Sequence, residues 1–210
     1  MLRALAVLAA LTLTACGSAE NIYADDAAVA QARYSSSEPP SITLFTVITK
    51  RSGAGAHSAL MVEGSESVLF DPAGSFKLRM MPERGDVLFG ATPRAMAAYV
   101  DYHARETHFV RSQKLYLPPQ TVEQILAAVK SNGAVPKAHC ANSISRLLGQ
   151  VSGFEDIATT YFPKALESAF DQNRATIHQT ITEETADKSH GIVFLDKNDK
   201  AAIAAAGLAP

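Results

Sequence analysis

Apolar residues and threonines alternate through Ile42-Thr43-Leu44-Phe45-Thr46-Val47-Ile48-Thr49, and most of these positions are β-branched. That pattern predicts a strand over residues 42–49. Two shorter apolar runs follow, 57–63 and 67–71, with Gly64-Ser65-Glu66 between them. They predict a hairpin with a three-residue connection, ended sharply by Pro72-Ala73-Gly74. Residues 75–86, with Met80 and Met81, read as a loop, and Val87-Leu88-Phe89 as a further strand. The period then lengthens. Thr92-Pro93 opens a predicted helix to about residue 106, with Thr92 as N-cap and Pro93 in the first turn. A strand over 109–117 leads through Pro118-Pro119 into a helix ending near Ser131, where Asn132-Gly133 stops it. Further helices are expected over 139–150 and 163–172, followed by a weak strand around 192–195 and an alanine-rich tail. Strands first and helices later give an α+β fold.

The chain's first forty residues follow a different pattern. Arg3 precedes an uncharged apolar stretch, residues 4–13, and the small residues Thr14 and Ala15 lead into Cys16. The stretch is too short to span a bilayer permanently, and its charge–apolar–small order is that of an export signal. Leu13-Thr14-Ala15-Cys16 resembles the lipobox of bacterial lipoproteins. The resemblance implies cleavage after residue 15, acylation of Cys16, and an outer-membrane anchor facing the periplasm, because Gly17 rather than Asp follows. Residues 16–41 are small and polar, a predicted tether. The remainder, 42–210, is read as one domain.

The 210 residues carry 19 basic and 21 acidic side chains, and loss of Arg3 with the signal makes the balance slightly more acidic. Nucleic-acid binding requires concentrated positive charge, which is missing here. The six histidines are scattered without HxxxH or CxxC spacing, so no metal and no cofactor is expected. A GxSxG elbow is absent, and Gly53-Ala54-Gly55 is too short to cradle a phosphate.

With Cys16 lipidated, Cys140 is the one thiol left, and no internal disulfide is open to it. Cys140, Ile144, Leu147, Leu148 and Val151 form one helical stripe facing the core, with Asn142, Ser145, Arg146 and Gly149 opposite. Cys140 therefore sits in the first turn, where unpaired backbone N–H groups and the helix dipole favour a thiolate. The same amides can hold an oxyanion. A small buried hydrophobe is the equally weighted alternative. His57 begins the first hairpin strand. If Glu63 pairs with Ser67, Ala59 faces Asp71, which places His57 and Asp71 diagonally on one face at one end of the sheet. A carboxylate so placed orients an imidazole and stabilises its charged form. His103 and His108 flank a helix end and read as surface or dipole partners, while His178 and His190 fall in weakly structured sequence.

His57-Ser58-Ala59-Leu60-Met61-Val62, Leu69-Phe70-Asp71-Pro72-Ala73-Gly74 and His139-Cys140-Ala141-Asn142 together resemble the circularly permuted NlpC/P60-type papain-like group. There the histidine strand precedes the cysteine helix. The resemblance spans about residues 42–170. It implies an antiparallel sheet packed against the cysteine helix, with Cys140 as nucleophile, His57 as general base and Asp71 as the orienting third residue. His139 departs from the asparagine that many relatives carry before the cysteine.

The expected activity is that of a lipid-anchored thiol hydrolase or acyltransferase. Its substrate would be an amide or ester, a cell-wall peptide amide first and a lipid second. The loop 72–86 and the C-terminal third would shape the cleft. A non-catalytic envelope lipoprotein that binds peptidoglycan or a protein partner is the alternative from another class. A third reading makes Cys140 an intermolecular disulfide site.

Overall fold

A computed structural model describes residues 19, 21–172, 174 and 176–182. Its elements in chain order are α1 (Asp26–Ala32), β1 (Ser41–Thr49), β2 (Gly55–Glu63), β3 (Ser67–Phe70), β4 (Glu83–Arg84), β5 (Val87–Phe89), α2 (Pro93–His103), β6 (His108–Tyr116), α3 (Pro119–Ser131), α4 (Cys140–Leu148), α5 (Pro163–Asp171) and β7 (Ile177–Thr182). The strands form one antiparallel sheet in the order β4-β5-β3-β2-β1-β6-β7. The α+β expectation holds at this level.

Alternation along the strands sends side chains into two cores, one on each face. Ile42, Leu44, Leu60, Val62 and Phe70 pack with residues of α3, α4 and α5. Phe45, Val47, Ala59, Met61 and Leu69 pack under α2 and the segment carrying Phe76, Leu78 and Met81. The central strand β1 is covered on both sides, so even its threonines are buried at Thr43 and Thr46. Glu63 pairs with Ser67 and Leu60 with Phe70, the register that the hairpin pattern predicts.

Helix starts follow local chemistry. Thr92 Oγ1 accepts the Ala95 N–H, capping α2, and prolines occupy the first turns of α2, α3 and α5. The helix α2 ends at His103, three residues short of the expected limit.

Several expectations need correcting. The stretch 16–41 is not a plain tether, because α1 lies within it, capped by Asp25 Oδ1 on the Ala28 N–H at 2.7 Å. Ala24 N–H donates to Glu83 O at 2.9 Å, Ser67 N–H to Tyr34 O at 2.7 Å, and Val29 packs on the core. A seven-residue, alanine-rich helix has no strong amphipathic signature and is too short to stand alone, so these docking contacts hold it. The loop 75–86 contains the short strand β4, with Met81 buried and Met80 exposed. Strand β7 adds an edge that the apolar pattern did not mark, since its side chains are mostly exposed. Ser145 lies in the core rather than on the solvent face of α4; its Oγ accepts the Thr160 N–H at 3.0 Å, tying α4 to the segment before α5. The signal, Cys16, His190, the strand around 192–195 and the alanine-rich tail lie outside the described residues.

Candidate active site

Strand β3 stops at Phe70, opposite Leu60, so the β2 residues before Leu60 have no partner on that edge. His57 lies there, on the face that Ala59 and Met61 share with α2. Asp71 is the first residue beyond β3. The predicted diagonal brings His57 Nε2 to 2.6 Å from Asp71 Oδ1, with the two side chains 15% and 2% exposed. The thiol arrives from the opposite layer. Cys140 opens α4, whose Ala141 and Ile144 pack in the other core. Its sulfur lies near enough to the His57 side chain, and to the backbone N–H groups of Ser58 and Ala141, for each to favour the thiolate. With Nε2 engaged by Asp71, Nδ1 is the ring nitrogen left for the thiol. Cys140, His57 and Asp71 therefore meet at the open edge of β2.

The electrostatics follow from these contacts. Burial alone disfavours a charged His57, but the Asp71 carboxylate overrides it and the imidazole pKa is pushed up to about 10. Burial likewise raises the Cys140 pKa, yet His57 and the two amides outweigh it and hold the thiol below its ordinary value. The arrangement favours imidazolium and thiolate over the neutral pair.

Two residues of α2 complete the surroundings, and the sequence pattern marked neither as part of the site. Tyr99, fully buried, points its hydroxyl at Asp71 Oδ1 from 3.5 Å; burial and the nearby carboxylate keep it protonated. His103 is one turn further on, and its ring stacks on His57 with centroids 5.7 Å apart and planes 11° from parallel. Its Nδ1–H donates to Tyr99 O at 3.0 Å, since a carbonyl can only accept. Burial lowers its pKa to about 4, so His103 is neutral beside a charged His57. The expected surface role for His103 is thus corrected. The available signal was the i, i+4 spacing of Tyr99 and His103, which puts both on one helix face. His108 stays outside the site, with Nδ1 2.8 Å from Thr107 Oγ1, and His178 lies 2.8 Å from Asp171 on α5.

Backbone geometry is also unusual around these groups. Among the described residues, the non-glycine positions with positive φ are Ala73 (56°), Asp86 (65°) and Ala138 (65°). Ala73 is two residues past Asp71, and Ala138 two before Cys140. Asp86 accepts the Ala73 N–H. Left-handed backbone at such residues persists only where its surroundings hold it. Gly74 makes a different demand: a Cβ there would sit 1.9 Å from Asp71 Oδ2. Only glycine leaves space for that carboxylate.

His139 precedes the thiol but turns away, its Nδ1 2.9 Å from Lys137 O and its ring edge-to-face with Tyr161 at 5.1 Å. It makes no side-chain cap to α4. No group of three or more His, Cys, Asp or Glu among the described residues is placed to hold a metal ion.

The chain matches no family model, and no curated protein or solved structure shows significant similarity to it.

Proposed function

We propose that the protein is a thiol hydrolase or acyltransferase of the permuted papain-like, NlpC/P60 kind, held at the envelope by lipid on Cys16. The observation that carries this reading is the placement of His57 between Asp71 and Cys140. A base that is itself oriented, next to a nucleophile at a helix N-terminus, is the arrangement that nucleophilic catalysis requires. The order of histidine strand before cysteine helix supports the permuted fold.

In the proposed reaction the Cys140 thiolate attacks a carbonyl carbon, forming the S–C bond and an oxyanion. First-turn amides of α4, which have no carbonyl one turn earlier, stabilise that charge. Collapse breaks the bond to the leaving amine or alcohol, which takes the proton from His57. Neutral His57 then removes a proton from water or another acceptor. Attack on the thioester breaks the C–S bond and restores the thiolate beside the imidazolium. Asp71 keeps the ring oriented throughout. The substrate class proposed first is a cell-wall peptide amide.

The test is alkylation of the soluble domain by iodoacetamide across pH. A Cys140 titration below the ordinary thiol value, moved up in His57→Ala, is the expected result. A titration near 8.5 in both proteins would end the reading.

A further inference from the structure

The two halves of the site belong to elements that no strand pairing joins: Asp71 ends β3, and Cys140 begins α4. One side chain bridges them. Asp86 sits in the two-residue turn between β4 and β5, where Gly85 and Asp86 have φ of 54° and 65°. Both values suit a primed hairpin turn, in which Asp is among the favoured residues. The Asp86 carbonyl accepts the Asp71 N–H at 2.9 Å. Its carboxylate Oδ2 accepts two more N–H groups, from Ala73 and from Val135, each at 2.8 Å. Val135 is a buried core residue five positions before Cys140. The turn is also pressed against that approach, since a Cβ on Gly85 would lie 2.9 Å from Gly133 Cα.

We propose that Asp86 is a positioning residue whose single carboxylate oxygen clamps the Asp71 turn to the segment leading into Cys140. This rests on the thiol-hydrolase reading above. Asp86 does not touch the reacting atoms. It is 8% exposed, and without its oxygen the Ala73 N–H and the buried Val135 N–H would lose their shared acceptor. Unpaired buried amides are unstable, so the two segments would move apart to find new partners. That movement draws Asp71 away from His57, whose backbone β1 holds through the Val47 pairing, and so weakens the contact that keeps the imidazole charged and oriented beside Cys140.

The experiment measures iodoacetamide alkylation of Cys140 against pH in the soluble domain, with thermal melts alongside. Asp86→Gly accommodates the positive φ but removes the acceptor; Asp86→Asn keeps an oxygen able to take both N–H bonds. The Gly variant is expected to lose at least tenfold in rate at pH 7, with the titration moved up toward a free thiol and the high-pH plateau within twofold of wild type. The Asn variant is expected to keep the wild-type titration. If Asp86→Gly melts below the assay temperature, the same series is run in the cold with a stabilising osmolyte, wild type alongside. A folded Gly variant with the wild-type titration overturns the proposal, as does an Asn variant shifted as far as Gly. If wild type titrates like a free thiol and ignores His57→Ala, the hydrolase reading fails instead, which is a separate result.

Discussion

His57 Nε2 lies 2.6 Å from Asp71 Oδ1, inside a pocket of protein that leaves the carboxylate 2% exposed. At that separation and burial the pair is a charge-assisted hydrogen bond. Asp71 supplies the chief force that keeps the imidazole charged against desolvation. In Asp71→Asn, burial dominates and His57 becomes neutral near pH 7. Alkylation of Cys140 at pH 7 is expected to fall by about tenfold, the loss of thiolate when a thiol pKa above the assay pH rises by about one unit. The rate should recover at high pH, where the thiolate forms unaided. An unchanged pH 7 rate would show that Asp71 does not set the charge state.

Gly74→Ala tests the space around the same carboxylate. A Cβ 1.9 Å from Oδ2 and 2.2 Å from Cγ must displace Asp71. The variant is expected to lose about 1–3 kcal/mol of stability, as overpacked sites do, and to share the upward-shifted thiol titration of Asp71→Asn. Denaturant melts and iodoacetamide kinetics check both parts.

His103 predicts an acid-labile fold. Its folded pKa of about 4 lies below the 6.5 of the unfolded chain, so between those values the unfolded state binds more protons. Stability from this group is therefore present above pH 6.5 and lost as pH falls toward 4, by up to about 3 kcal/mol. His103→Phe, which keeps a stacking ring without a proton site, should flatten the acid limb in melts from pH 7 to 4. A limb of the same depth in both proteins would place the acid lability elsewhere.

Cys140→Ala should reveal the opposite sign at His57. That imidazole's folded pKa, about 10, lies above its unfolded 6.5, so its contribution is complete below 6.5 and lost as pH rises toward 10. In the wild type the lowered thiol pKa offsets this. Folded thiolate–imidazolium and unfolded thiol–imidazole hold the same number of protons, so stability stops falling with pH wherever the folded thiol has already lost its proton and the unfolded one has not. Removing the thiol removes the offset. Melting temperatures of Cys140→Ala should therefore decline above about pH 6.5 more steeply than those of the wild type. Parallel curves would mean that the thiolate does not couple to His57.

Local pattern made much of this protein legible. The 3.6-residue stripe from Cys140 to Val151 places the thiol on the inner side of α4, and all five of its residues are buried. The two-residue period and three-residue connection set the β2–β3 register, and with it the His57–Asp71 diagonal. These relations lie within one helix or one hairpin, where spacing along the chain fixes spacing in space. Tertiary structure decided the rest. The packing of α2 brings Tyr99 and His103 onto the pair, turning a nominal surface histidine into a neutral, half-buried one. Packing also selects Asp86, whose three N–H partners come from segments that local period cannot relate. Most of all it seats Cys140 from one layer against His57 from the other, at the edge that β3 leaves open. By itself, then, the sequence determined a thiol at a helix start and a histidine–aspartate pair at a hairpin's end. Their meeting depended on helix-on-sheet packing, because contacts between distant segments follow from how whole faces are buried, not from the period of any one element.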